Sequence, residues 1–157
     1  MPLIKLRTEI AAPPEVVFDL ARSIDLHKQS MQHTSEEAIA GRTSGLIEMG
    51  ETVTWRARHF GVMQTLTSKV TGFERPTYFA DEMVKGAFKS FKHKHFFEPT
   101  ENGTLQIDHF YYTSPLGLLG KLADWLFLRK YMTRLLERRN ELMKEVAKDY
   151  DTSPIQK

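Results

Sequence analysis

The chain has 157 residues, enough for one domain with a real hydrophobic core and short for two. Its 22 lysines and arginines against 20 aspartates and glutamates leave a formal net charge of +2, so no global field favours a polyanion. Cysteine is absent, which excludes disulfides, thiolate catalysis and cysteine-ligated zinc.

The N-terminal run MPLIKLRTEIAAPPEVVF interrupts its apolar residues with Lys5, Arg7 and Glu9, unlike a secretory signal. Residues 3 to 10 mix apolar and polar positions at strand spacing. In AAPPEVVFDLAR the prolines open a helix, where a missing N–H costs nothing. A second short helix over Ser23 to Met31 would take Ser23 as its N-cap.

From residue 35 to 114 six strand-like runs follow: EEAIAG, ETVTWRARHFGV, MQTLTSKVTGFE, TYFADEMV, FKSFKHKHFFE and TLQIDHFYYTS. Gly41 to Gly45, Gly50, Gly61, Arg75-Pro76, Gly86 and Asn102-Gly103 punctuate them as turns. Asn102-Gly103 is a hairpin signal that makes the last two runs antiparallel neighbours. Short turns throughout imply a meander, hence a mainly antiparallel sheet.

The last third reads as one long amphipathic helix, with Leu118, Leu122, Trp125, Leu128, Met132, Leu135, Leu142 and Val146 recurring along one stripe. Glu137, Arg138, Arg139 and Glu141 fall outside that stripe and are expected at the surface. The most apolar segment, SPLGLLGKLADWLFL, is broken by Lys121 and Asp124 and is too short to span a bilayer. The expectation is a cytoplasmic protein without stable membrane insertion. It has one domain over residues 1–150 and a frayed tail over 151–157. The fold class is α+β: a curved antiparallel sheet of about seven strands gripping the C-terminal helix, with two short helices after the first strand.

Strand alternation then sorts the side chains. Within FKSFKHKHFFE, Lys92 and Lys94 share one face, while Phe91, His93, His95 and Phe97 share the other. The same test places Trp55 and His59 together, and Phe79, Asp81 and Met83 together. In the last strand Asp108, Phe110 and Tyr112 are taken as inward because two aromatics and an acid coincide. The concave face is thus aromatic yet dotted with polar groups that a dry core would not hold, which suits a cavity for a mostly apolar molecule. Leu122, Leu126 and Met132 of the helix would add walls.

The element order resembles the helix-grip superfamily, which includes START lipid-transfer domains, Bet v 1-type allergens and bacterial polyketide cyclase/dehydrase-like proteins. The residues that carry the resemblance are W-R-A-R-H-F-G at 55–61, F-A-D-E-M at 79–83, F-K-H-K-H-F-F-E-P at 91–99, and Asp108 through Tyr112 to Pro115-Leu116-Gly117. The chain is most similar to small bacterial ligand-binding members of the SRPBCC type. The resemblance implies a deep cavity between sheet and helix and a hydrophobic small-molecule or lipid partner, with no cofactor.

Two functions compete on these residues. In the first the protein binds the molecule without transforming it, with His59, His93, His95 and Asp108 orienting the polar end. In the second a cyclase or dehydratase uses His93 or His95, beside Asp108, as general acid/base. A metal held by His59, His93, His95, Asp81 and Asp108 is weighed against simple His–Asp hydrogen bonds, and the latter is preferred. Lysines and aromatics on opposite faces argue against a nucleic-acid platform. A monomer or homodimer is expected.

Overall fold

The computed structural model describes residues 3–114, 117–123 and 127–151. Strand β1 (Leu3–Ile10) leads into α1 (Pro14–Ala21) and α2 (Ile24–Ser30), then a 3₁₀ turn at Gln32–Thr34. Strands β2 (Glu37–Gly41), β3 (Thr52–His59), β4 (Val62–Glu74), β5 (Tyr78–Lys85), β6 (Ser90–Thr100) and β7 (Gly103–Thr113) follow, then α3 (Gly117–Ala123) and α4 (Arg129–Asp151). Pro14 opens α1, and the Ser23 hydroxyl accepts the Leu26 N–H at 3.2 Å to cap α2, as the sequence predicts.

The seven strands form one antiparallel sheet in the order β1-β7-β6-β5-β4-β3-β2. The meander runs unbroken from β2 to β7, and β1 completes the sheet on the free side of β7. Alternation assigned the faces correctly. Phe91, His93, His95 and Phe97 are buried while Lys92 and Lys94 stay half-buried outside, and Gln106, Asp108, Phe110 and Tyr112 all point inward.

One turn differs from its sequence reading. Thr100 pairs with Gly103, so the β6–β7 loop is Glu101–Asn102 and Gly103 already belongs to the strand. Its glycine is required for another reason: φ is +151°, and a Cβ there would lie 2.2 Å from the Ile10 carbonyl oxygen.

Two packed clusters fix the position of α4. Beneath α1, Phe18 meets Phe73, Phe79 and Phe97 edge-on, each at 5.3 Å between ring centres, with Met143 and Ala147 of α4 closing the group. Towards the other end Ile4, Phe91, Phe110 and Tyr112 pack on Leu136. Each buried ring contributes about 2–3 kcal/mol through removal from water.

The C-terminal third departs from the expected single stripe. Leu118 and Leu122 are 82% and 51% exposed, so α3 does not continue the packed face, and Trp125 and Leu126 lie outside the described residues. The 23 residues of α4 extend about 34 Å. Arg139, expected at the surface, is 5% exposed, and Asn140 beside it is buried as well. The packed face of α4 therefore runs through Leu135, Leu136, Arg139, Asn140, Met143 and Ala147.

Gly103→Ala is expected to cost about 2–4 kcal/mol in urea unfolding through clash and strain. Gly50→Ala, whose Cβ would meet open space at a φ of +80°, should cost about 1 kcal/mol. Equal losses would contradict the close approach at Ile10.

Candidate functional site

Between the two clusters α4 stands off the sheet, and α2 covers the side over β3 and β4, where Ile24 packs with Val53, Trp55 and Val70. The space left is a cavity of about 200 Å³, somewhat below the roughly 300 Å³ at which small-molecule sites usually begin. Its walls are mostly apolar, including Ile24, Val53, Trp55, Leu66, Phe91 and Leu135.

Of the residues expected to line it, Trp55, His59, Phe79, Asp81, Phe91, His93, His95, Phe110 and Met132 do so. Phe97 is instead buried among the rings beneath α1, and Tyr112 and Met83 pack in the cluster at the other end. Leu122 is half-exposed on α3 and reaches no cavity wall. Strand parity distinguishes inside from outside but not an open wall from a filled core, which explains these differences. Sequence reasoning missed the α1–α2 side, where Arg22, His27 and Met31 contribute, together with Glu36 and Arg139. From the sequence Arg139 reads as a surface residue, because helical spacing alone does not distinguish a paired buried charge from a solvated one.

Asp108, expected to meet the ligand, lies behind the wall, fully buried. Its Oδ1 accepts from His93 Nε2 and Arg139 Nη2, both at 2.9 Å. Its Oδ2 accepts from Gln106 Nε2 at 3.0 Å and Asn140 Nδ2 at 2.9 Å. Asn140 Nδ2 also donates to the Thr8 hydroxyl at 3.1 Å. Four donors from β6, β7 and α4 thus converge on one carboxylate. Burial alone would raise its pKa, but the Arg139 guanidinium and the two histidines hold it well below the ordinary carboxylate range.

The inner wall carries two histidine–aspartate pairs. His93 stacks on His95 with ring centres 3.8 Å apart, and His95 stacks on Phe79 at 4.1 Å. His95 Nε2 bonds Asp81 Oδ1 at 3.0 Å. Its Nδ1 stands 3.2 Å from Asp108 Oδ1, close enough for charge attraction but not aligned for a hydrogen bond. Burial, reinforced by the charge of neighbouring His95, lowers His93 to about 4, so its imidazole is neutral at pH 7. Asp81 is pushed up by burial but drawn below its ordinary value by His95 and by the charges of His93 and Arg139.

Asp81, His93 and His95 each place one donor atom within 4.8 Å of the others, spacing that a metal ion could use. The stacked rings, however, direct Nε2 to separate carboxylates, and an ion would have to displace the proton of the His95–Asp81 bond. Histidine–aspartate hydrogen bonding accounts for the arrangement.

At the His59 side of the cavity stands a further polar pair. His59 Nδ1 and the Tyr131 hydroxyl share a hydrogen bond, and Phe60, at the tip of the β3–β4 hairpin, lies against Phe127 and Tyr131. Phe60 takes a φ of +54° and Gly61 +74°, the turn that matches strand twist. Burial lowers His59 and raises Tyr131, leaving a neutral pair. Nearby His27 bonds Glu36 at 3.1 Å and lies tilted against Trp55, with ring centres 4.3 Å apart.

Two outcomes follow from the buried charges. Arg139→Leu should cost about 3–5 kcal/mol in chemical denaturation by leaving Asp108 unpaired. Adding Asp108→Leu should recover part of that loss, and a strictly additive double-mutant cycle would refute the coupling. Stability should also decline in acid. The unfolded chain binds a proton at His93 near its ordinary 6.5, while the folded state refuses it until about 4. Between those values falling pH removes roughly 3 kcal/mol. Asp81 and Asp108, held below 3.8, extend the loss at lower pH. His93→Asn should flatten the upper part of this curve; an unchanged slope in thermal melts from pH 7 to 4 would refute the assignment.

Comparison with known proteins agrees with this architecture. TTHA0849 from Thermus thermophilus shares 21% identity and superposes with a TM-score of 0.76 over 97% of this chain and 100% of its own. The protein named Ara h 8.0201 gives 10% identity and a TM-score of 0.70, covering 94% and 98% of the two chains. Ginseng major latex-like protein 151 from Panax ginseng gives 12% identity and a TM-score of 0.67, covering 93% of this chain and 97% of its own. At these identities the likeness speaks for the fold. No curated protein matches the chain significantly. The model of the family described as polyketide cyclase/dehydrase and lipid transport matches residues 1–148, and the chain belongs to that family.

Proposed function

We propose that the protein binds one hydrophobic small molecule in the cavity between sheet and α4, without transforming it. The observation that carries this reading is the wall itself: mostly apolar side chains line open space, and a few polar groups face it, Asp81, His93 and His95 at the inner wall and Arg22, His27, Glu36, His59 and Arg139 elsewhere. A core shaped only for stability would fill that space, since voids cost stability in proportion to their volume. Family membership favours a hydrophobic ligand in general terms. A compact molecule suits a volume of about 200 Å³ better than a long-chain lipid.

An enzyme of the cyclase or dehydratase kind would use the same cavity with His93 or His95 as proton carrier. One observation favours it, the presence of two His–Asp pairs at the wall. Against it, a group titrating near 4 is a weak base at neutral pH, where efficient proton transfer wants a pKa close to the working value. His93 also spends its Nε2 on Asp108. Binding without turnover fits these facts better.

Native mass spectrometry of protein purified from its source should reveal a co-purifying apolar compound of constant mass. Val70→Trp, which fills the cavity from β4, should abolish that adduct and raise the dissociation constant for added ligand at least about tenfold. An adduct that survives the filling variant, or a product mass that grows with time in the wild type, would overturn the carrier reading.

A further inference from the structure

The charged groups around the cavity are unequally committed. Arg22 is taken by Asp19 at 2.9 Å and by the Ile47 carbonyl at 3.2 Å. Arg139 is taken by Asp108 and Asn140. Neither cation is left without an anionic partner. The two acids of the lining differ. Among the described residues Asp81 Oδ1 accepts from His95 at 3.0 Å and Oδ2 accepts no hydrogen bond. Glu36 Oε1 meets His27 Nε2, and its second oxygen likewise accepts none.

Asp81 is placed to be met by a guest. It stands on β5 opposite His93 of β6, its side chain is 22% exposed, and it lines the cavity. Asp108 makes a useful contrast, since its four donors leave nothing for a ligand. A carboxylate oxygen that takes no hydrogen bond from the protein remains open to a donor that enters the cavity. His95 keeps Asp81 in the ionised form and pins its orientation through Oδ1.

We propose that Asp81 is the anchoring acceptor of this site, and that the cavity selects molecules whose polar end donates a hydrogen bond, a phenol or alcohol hydroxyl, over carboxylates and other anions. The proposal rests on the cavity reading above. A hydroxyl loses little on leaving water and gains a charge-assisted bond. An anion would meet two acids and no uncommitted cation. An ammonium would carry a far larger desolvation cost into the apolar chamber.

The test uses three probes that share one ring system: 2-naphthol, 2-naphthoate and 2-methylnaphthalene, titrated at neutral pH by calorimetry or fluorescence. Naphthol is expected to bind at least about tenfold tighter than naphthoate, and tighter than methylnaphthalene. Asp81→Asn, which preserves volume, should bring naphthol and naphthoate to within a few fold of one another. Naphthoate binding as well as naphthol in the wild type would overturn the proposal, whatever the fate of the variant. So would an Asn variant that melts like the wild type yet keeps the full preference. If methylnaphthalene binds and no hydroxyl preference exists, the cavity reading stands and the role of Asp81 falls; if none of the three binds, both fall together.

Discussion

The carboxylate of Asp108 is the constraint around which the interior is arranged. It sits fully buried where β7 faces α4, and four donors from three elements reach its two oxygens. A buried charge is tolerated only when paired and hydrogen-bonded, and here every acceptor direction is used. The cost of leaving any of these groups unpaired makes the register of α4 on the sheet specific, because a shift of one residue would remove Arg139 and Asn140 from the carboxylate. Apolar packing alone, with Leu136 at one end and Met143 at the other, would allow more freedom.

That hub also determines the open space. Arg139 and Asn140 occupy the part of α4 where apolar side chains would otherwise descend onto the sheet. The rings of His93 and His95, held in place by Asp108 and Asp81, cannot fill the gap in their stead. The chain thus retains a chamber flanked by two conventional hydrophobic clusters. Its inner wall carries the two His–Asp pairs among aromatic rings. At its outer end Phe60 of a hairpin tip lies against Tyr131 of the first turn of α4, with one hydrogen bond between His59 and Tyr131.

The two carboxylates near the histidines have distinct physical roles despite their similar pairing. Asp108 is satisfied by protein and acts on structure. Asp81 lines the cavity and has one oxygen, Oδ1, paired with His95. Burial depresses His93 until it is neutral at pH 7, bonded through Nε2 to Asp108.

Much of the fold was legible in the sequence. Period-two alternation separated His93 and His95 from Lys92 and Lys94, and proline and Ser23 marked the two short helices, because these signals are local and steric. The sequence also sufficed to put Trp55, Asp81 and Phe110 on one face. Tertiary structure alone decided which inward residues would be wall and which core: Phe97 and Asp81 share a face by parity, yet Phe97 is covered by α1 and Asp81 is not. It alone drew Arg139 and Asn140 inside, since only a partner as distant in sequence as Asp108 makes their burial favourable, and it alone left Leu122 in the open. Burial of a polar group depends on partners that strand and helix periods do not encode, and so does the room left beside it.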